Sequence, residues 1–369
     1  MPINSTPDER FTLGVELESY TIATPGFRIS REMAFPRKGV GEHGERFGRD
    51  ASVGTEYNGR PFQTIREGFF LLKAGLRKYS LKLYRTKSTS RIRRQLLLVG
   101  GWRDRFAGAH LHLALVGEEL TKERARHLAW HLHDHLPLLV AVMANSPVWG
   151  DELTEIASNR VERASRVYFH PIARRVLTSR AMDEMTFSRA RKTKPATLEL
   201  RVMDSNIPEF VIAAACIVKA AALTWRSGRR ASNLISHSAY LRSRSDAARR
   251  GMKAHLCWNG EWLTARSYLD RFVWVHRDEL EKMDIPQDVW TAFKLLKKGL
   301  NGSAILTSAV RRAHLEHPQT WQRRFAKRYM AALDHLLAGN SILDFIERLG
   351  VEVPDLDDVW LGRRRMRLA

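Results

Sequence analysis

Three short segments that alternate between apolar and ionisable residues constrain the fold of this chain more than any other feature of it. In Thr12-Leu13-Gly14-Val15-Glu16-Leu17-Glu18, a period of two places Leu13, Val15 and Leu17 on one face of a strand and Glu16 and Glu18 on the other. Gly108-Ala109-His110-Leu111-His112-Leu113-Ala114-Leu115 sets His110 and His112 opposite its leucines. Thr197-Leu198-Glu199-Leu200-Arg201-Val202 does the same with Glu199 and Arg201. Each strand has an apolar back and an ionisable front. Repetition on three distant strands predicts one shared polar surface with a chemical task; the plainer alternative is a sheet face turned to water.

Side chains two apart on a strand stand about 7 Å from each other, so Glu16 and Glu18 suit neighbouring metal ions, which in two-metal sites lie about 3.5–4 Å apart. Oxygen-rich ligation favours Mg²⁺ or Mn²⁺ over zinc. A fourth segment, residues 47–58, reads as a loop in which Gly48 and Gly54 permit tight backbone and Asp50, Ser52 and Glu56 offer oxygen atoms. Taken alone, it reads equally well as a plain polar turn.

Six motifs in order then carry a resemblance. They are Gly14-Val15-Glu16-Leu17-Glu18, Asp50-x-Ser52-x-Gly54-x-Glu56, Gly108-Ala109-His110-x-His112, Ala144-Asn145-Ser146-Pro147, Ser158-Asn159-Arg160 and Thr197-Leu198-Glu199-Leu200-Arg201-Val202-x-Asp204. The set resembles the carboxylate–amine ligases of glutamine-synthetase-like fold, in particular the glutamate–cysteine ligase type 2 group and the amidoligases. It covers residues 12–204, with a fainter echo at residues 246–251.

The resemblance implies an α+β fold: a curved antiparallel sheet, a glutamine-synthetase-like funnel, backed by helices and followed by a mainly helical C-terminal region. It implies ATP as co-substrate, Mg²⁺ or Mn²⁺ as cofactor, and amide formation through an acyl phosphate. The acid would be free glutamate or a peptide carboxylate, and the second substrate an amine. Carried over to this sequence, Glu16, Glu18, Glu56, Glu199 and His110 would be metal ligands, and Arg201, Arg160 and Glu56 would serve catalysis. His110, His112, Asn145, Ser158, Asp50, Ser52 and Arg249 would bind ATP or substrate. The residue types suit that chemistry, because phosphoryl transfer is assisted mainly by cations and Arg clamps placed where negative charge develops, and a guanidinium grips phosphate oxygens in pairs. The sequence also departs from the group. Leu17 stands where type 2 ligases often carry Glu, and Asp246 and Arg250 replace residues of other types, so the acid substrate stays open.

Lys and Arg number 61 against 40 Asp and Glu, a net charge of +21 with a sequence pI near 10.4. Such a field attracts anions at long range, whether nucleotide phosphates, nucleic acid or an acidic protein. Nucleic-acid binding through that basic surface is the alternative function, and scattered solvated arginines are the plain reading. The longest apolar run, residues 210–225, contains Lys219 and falls short of the roughly 20 residues that cross a membrane; a buried helix and no membrane partner are expected. The start of the chain lacks a basic, apolar leader and only Cys216 and Cys257 occur, which points to a reduced, cytoplasmic setting. A homodimer stays open.

Two regions are expected: a catalytic core over residues 1–255 and a helical region over 256–369 packed on it. Helices are expected at 208–225, 287–298, 304–315, 319–337 and 341–349, with a polar, arginine-rich stretch at 226–251. Gly39-Val40-Gly41-Glu42-His43-Gly44 fits a dinucleotide fingerprint on paper, but no buried strand precedes it and no helix follows it, so it reads as a flexible loop. His127, His131 and His135, with His133, fall on one expected helix over 121–143. There they read as flanks of a leucine stripe, with zinc binding the lesser alternative. Asn145 reads equally as a helix-end cap or a substrate contact.

Overall fold

The computed structural model describes residues 10–24, 26–30, 44–48, 50, 53–85, 93–163, 184–192 and 194–359. In chain order the strands are β1 (Phe11–Thr24), β2 (Arg28–Ile29), β3 (Arg46–Gly48), β4 (Gly54–Asn58), β5 (Arg93–Leu97), β6 (Gly101–Trp102), β7 (Arg105–Phe106), β8 (Gly108–Leu115), β9 (Val148–Trp149), β10 (Glu152–Leu153), β11 (Met185–Ser188), β12 (Thr197–Asp204), β13 (His255–Trp258) and β14 (Glu261–Thr264). Eight of them make one open antiparallel sheet, ordered β11-β12-β8-β1-β4-β3, with β2 and β5 also pairing with β1. The long β1 is its spine. Its first half pairs with β8, its middle with β4 and its last residues with β5 and β2.

The alternation along β1 appears directly as burial: Phe11, Leu13, Val15 and Leu17 are buried, whereas Thr12, Gly14, Glu16 and Glu18 are half-buried. The apolar face is covered by helices. In chain order the described helices are α1 (Ile65–Arg85), α2 (Lys122–His133), α3 (Leu136–Met143), α4 (Asn159–Arg163), α5 (Pro208–Arg226), α6 (His237–Arg250), α7 (Ala265–Val275), α8 (Arg277–Lys282), α9 (Gln287–Lys297), α10 (Gly302–Glu316), α11 (Trp321–Leu337) and α12 (Ile342–Arg348). Pro208 at the first helical position opens α5, and its apolar residues lie on all sides, the pattern of a helix surrounded by protein. Helices α1, α2, α3, α8 and α9 pack around it. Among the described residues it is the one helix long and apolar enough to cross a membrane, and 94% of that window is buried inside the protein. Buried residues from β1 to Leu349 and Val351 join in one apolar core, so the C-terminal helices share it with the sheet.

Several local expectations are corrected. Residues 47–58 are not one loop: β3 and β4 pair across Gly48↔Glu56, with Asp50 in the connection. The helix expected over 121–143 is two helices, broken at Asp134 and His135 ahead of Pro137, whose ring occupies the first turn of α3. His133 and His135 are buried instead of flanking. His133 stacks on Tyr240, and His135 Nδ1 lies 2.8 Å from the Tyr268 hydroxyl. The stretch at 226–251 contains α6, and α1, α7, α8 and the β13–β14 hairpin are further elements. Both cysteines are buried. Of residues 39–44 only Gly44 is described, and Ser52 and Arg363 to Arg365 lie outside the described residues.

Candidate active site

Strand register brings the ionisable faces together. Glu16 lies opposite His110 on one side and Asn58 on the other, Glu18 lies opposite Glu56, and His112 faces Gly14 and Glu199. The centre is a cross-strand cluster. His112 Nε2 stands 3.3 Å from Glu16 Oε1 and 4.0 Å from Glu199 Oε1, while His110 Nδ1 stands 3.6 Å from Glu16 Oε2 and 3.5 Å from Glu199 Oε1. Glu16, His112 and Glu199 each offer a ligand atom within 4.8 Å of the others.

Electrostatics at this cluster pull in opposite directions. Burial alone would raise the Glu16 carboxyl, but the adjacent imidazoles of His110 and His112 outweigh it and hold the group well below the usual carboxylate range. Burial would lower His112, yet the Glu16 and Glu199 carboxylates raise it. Glu56 is pushed up to about 7, first by burial and then by the charges of Glu16, Glu18 and Asp50. Carboxylates crowded this closely resist simultaneous ionisation unless a cation or proton joins them.

That demand, and the donor set, fit a divalent cation. Nε2 of both His110 and His112 is buried without an aligned hydrogen-bond partner among the described residues. Two carboxylates beside an imidazole nitrogen match Mg²⁺ or Mn²⁺, the latter tolerating nitrogen more readily. Glu18 is partly committed, since the Gly108 N–H donates to its Oε2 at 2.5 Å. Asp50 Oδ1 accepts from the Val53 N–H at 2.8 Å, which shapes the turn into β4.

The arginines approach from the β12 side. Arg201 Nη1 donates to Glu199 Oε1, and its buried Nε meets no acceptor among the described residues. Arg160, on the short α4, donates from Nη2 to the Arg201 carbonyl at 3.2 Å and holds Nη1 4.0 Å from Asp204 Oδ1. It reaches there because residue 108 is glycine: a Cβ at that position would collide with the guanidinium. A register shift between Leu200 and Met203 interrupts the pairing of β12 with β8 at this point, which resumes at Met203↔Ala109.

Asp204 anchors the surroundings. Its carboxylate accepts from the Asn145 N–H (2.8 Å), Ser146 Oγ (2.7 Å) and Ser158 Oγ (2.9 Å). Complete burial raises its pKa despite Arg160 and those donors. Asn145 is therefore a bridge instead of a helix cap: α3 ends at Met143 with Ala144 as its cap, and the Asn145 amide donates to the carbonyls of Leu98 and Ser205. Ser158 is buried and likewise turned to Asp204. Arg249 stands apart, 61% exposed and paired with Glu162 at 2.8 Å. Thr186 escaped sequence reasoning, because four residues of β11 carry too little alternation to be read; its hydroxyl donates to Glu199 Oε2 at 2.9 Å.

No protein-family model and no curated protein matches the sequence. Solved structures do match. One is a chain from the complex between the prokaryotic ubiquitin-like protein Pup and its ligase PafA, with TM-score 0.61, 12% identity, and coverage of 94% of this chain and 80% of that one. Another is glutamate–cysteine ligase from Francisella tularensis in complex with AMP, with TM-score 0.58, 10% identity and 92% coverage of each chain. A third is a bifunctional glutathione synthetase from Pasteurella multocida, with TM-score 0.56, 13% identity, and coverage of 95% of this chain and 57% of that one. In fold, the chain is similar to the carboxylate–amine ligases of the glutamine-synthetase-like kind, the likeness its sequence motifs carry.

Proposed function

We propose that this chain is an ATP-dependent carboxylate–amine ligase that forms an amide through an acyl phosphate. The observation that carries the reading is the convergence of Glu16, His112 and Glu199 from three strands, with His110 between the carboxylates and two guanidinium groups alongside. Similar solved structures include a ligase bound to AMP and a Pup ligase bound to ADP, which supports ATP as the co-substrate here.

In this reading Glu16, His112 and Glu199 would hold a divalent cation, Mg²⁺ or Mn²⁺, with Glu18, Glu56 and His110 beside it; such an ion supplies positive charge against phosphate oxygens. Arg201 and Arg160 would grip the phosphoryl group as the substrate carboxylate attacks it and ADP leaves. The amine then attacks the acyl carbon and phosphate departs. Glu56, paired across the strands with Glu18, would accept the amine's proton. The acid is glutamate or a peptide carboxylate, and the net charge of +21 favours anionic substrates by steering.

Incubation with ATP, Mg²⁺ and hydroxylamine across a panel of acids tests the reading, because hydroxamate reports an activated acyl group whatever the natural amine. Wild type is expected to form hydroxamate with at least one acid, and folded Glu16→Gln and Glu199→Gln variants to form none. Undiminished turnover in both variants would remove the proposal. A second reading, nucleic-acid binding, draws on exposed Arg242 stacked 4.5 Å over Trp262, a pairing that accommodates bases. Tight, salt-sensitive binding of RNA or DNA without ATP turnover would put it first.

A further inference from the structure

The Glu199 carboxylate has two oxygens with different company. Oε1 faces Arg201, His110 and His112, and belongs to the group that suits a cation. Oε2 receives the Thr186 hydroxyl at 2.9 Å in a buried contact. Thr186 and Glu199 are directly opposite across β11 and β12, so the hydroxyl reaches the carboxylate without bending either strand.

The terminal torsion of a glutamate is a broad, roughly two-fold rotor. Without a fixed donor, the plane of the Glu199 carboxylate would follow whichever of Arg201, His110 and His112 attracts it most. Thr186 is stiff at its first side-chain torsion, and its strand is clamped at the start. The Glu184 carbonyl accepts from the Arg201 N–H at 2.9 Å, and the buried Glu184 carboxylate is held by Tyr240 and Arg244 of α6. Tension applied at Oε1 is therefore resisted at Oε2 through a hydroxyl anchored to a rigid strand.

We infer that Thr186 is a positioning residue that fixes the Glu199 carboxylate so that Oε1 is presented to a divalent cation together with Glu16 and His112. This rests on the cation-binding part of the proposed function. A hydroxyl that only satisfies a buried oxygen would affect stability alone; one that orients a ligand sets metal affinity, since loss of such a partner typically weakens binding by about 10–100-fold.

The test is Mn²⁺ binding to nucleotide-free protein, followed by electron paramagnetic resonance, with thermal unfolding alongside. Thr186→Val keeps the shape without the hydroxyl and is expected to weaken Mn²⁺ binding by about 10–100-fold, whereas Thr186→Ser, which restores the donor, stays close to wild type. Thr186→Ala is expected to show the same weakening without the added methyl group, should Val distort the strand. Unchanged Mn²⁺ affinity in folded Val or Ala variants overturns the inference, and a wild type that binds no Mn²⁺ overturns it together with the cation reading. The Val and Ser pattern in a protein that forms no hydroxamate would uphold Thr186 while removing the ligase reaction.

Discussion

At the scale of single residues, Glu199 Oε1 is contested. Arg201 donates to the same oxygen that lies among the prospective cation ligands, and a charge-assisted bond of that kind is among the stronger ones. Arg201→Gln is therefore expected to raise Mn²⁺ affinity in the absence of nucleotide by about three- to tenfold, or about 0.6–1.4 kcal/mol, while turnover falls. Calorimetric titration of the two proteins checks the sign. Asp204→Ala should destabilise by about 3–5 kcal/mol, because the buried Arg160 charge loses its counter-ion and three donors lose their acceptor; urea unfolding measures it. Glu16, Glu18, His110, His112 and Glu199 were legible as one polar surface because a period of two needs only sequence to be seen. The division of labour between His110 and His112 was not, since it depends on which ring nitrogen meets which oxygen across the strands. Thr186 and the bonds to Asp204 depend on contacts between segments distant in the chain.

Among the elements, strands β1, β8 and β12 carry their own pattern, whereas α1 hides its identity. Its 21 residues include Gly68 and Gly75, a residue type poorly suited to helix interiors. Each glycine instead leaves room for a ring from the strand side. A Cβ at residue 68 would enter the Phe62 ring, and one at residue 75 would lie 2.6 Å from Tyr57 Cε2. Gly75→Ala therefore sets two effects against each other. Ala is better by about 1 kcal/mol in a helix interior, but overpacking typically costs about 1–3 kcal/mol, and the Tyr57 hydroxyl is bonded to the Leu71 carbonyl at 3.1 Å, which resists ring movement. Net destabilisation is expected by chemical unfolding. Helix α6 was obscured differently: its buried side includes Ser243 and Arg244 beside Tyr240, Ala247 and Ala248. A polar inner face breaks the apolar period by which helices are recognised.

For the molecule as a whole, net charge was plain in the sequence but its pairing was not. Arg244 is buried on Glu184, Arg249 pairs with Glu162 and Arg312 with Glu316, so part of the positive field is answered locally. A second global property lies in a buried chain of hydroxyls and imidazoles joining α3, α5, α7 and the start of α8. The Ser232 hydroxyl sits 2.9 Å from His135 Nε2 and 3.0 Å from His276 Nε2, and His276 Nδ1 is 2.8 Å from Thr224 Oγ1. Burial lowers both histidines from 6.5, His276 to about 3, with Arg229 and His131 adding to the effect on His276, and His276 and His131 to that on His135. The unfolded chain then binds protons that the native one refuses, so stability from this pair declines as pH falls below 6.5, for His276 by about 1.4 kcal/mol per pH unit down to about 3. His276→Gln should flatten that decline relative to wild type by about one such increment, as measured by urea unfolding across the window; groups common to both proteins cancel in the comparison.

Gly108 ties the two charge types of the cleft to one missing methyl group. Its amide hydrogen steadies the Glu18 carboxylate, and the vacancy where a side chain would begin houses the Arg160 guanidinium. Anionic and cationic walls therefore cannot be retuned separately through this position: replacing it with any other amino acid would evict the arginine and jostle the acid in a single stroke.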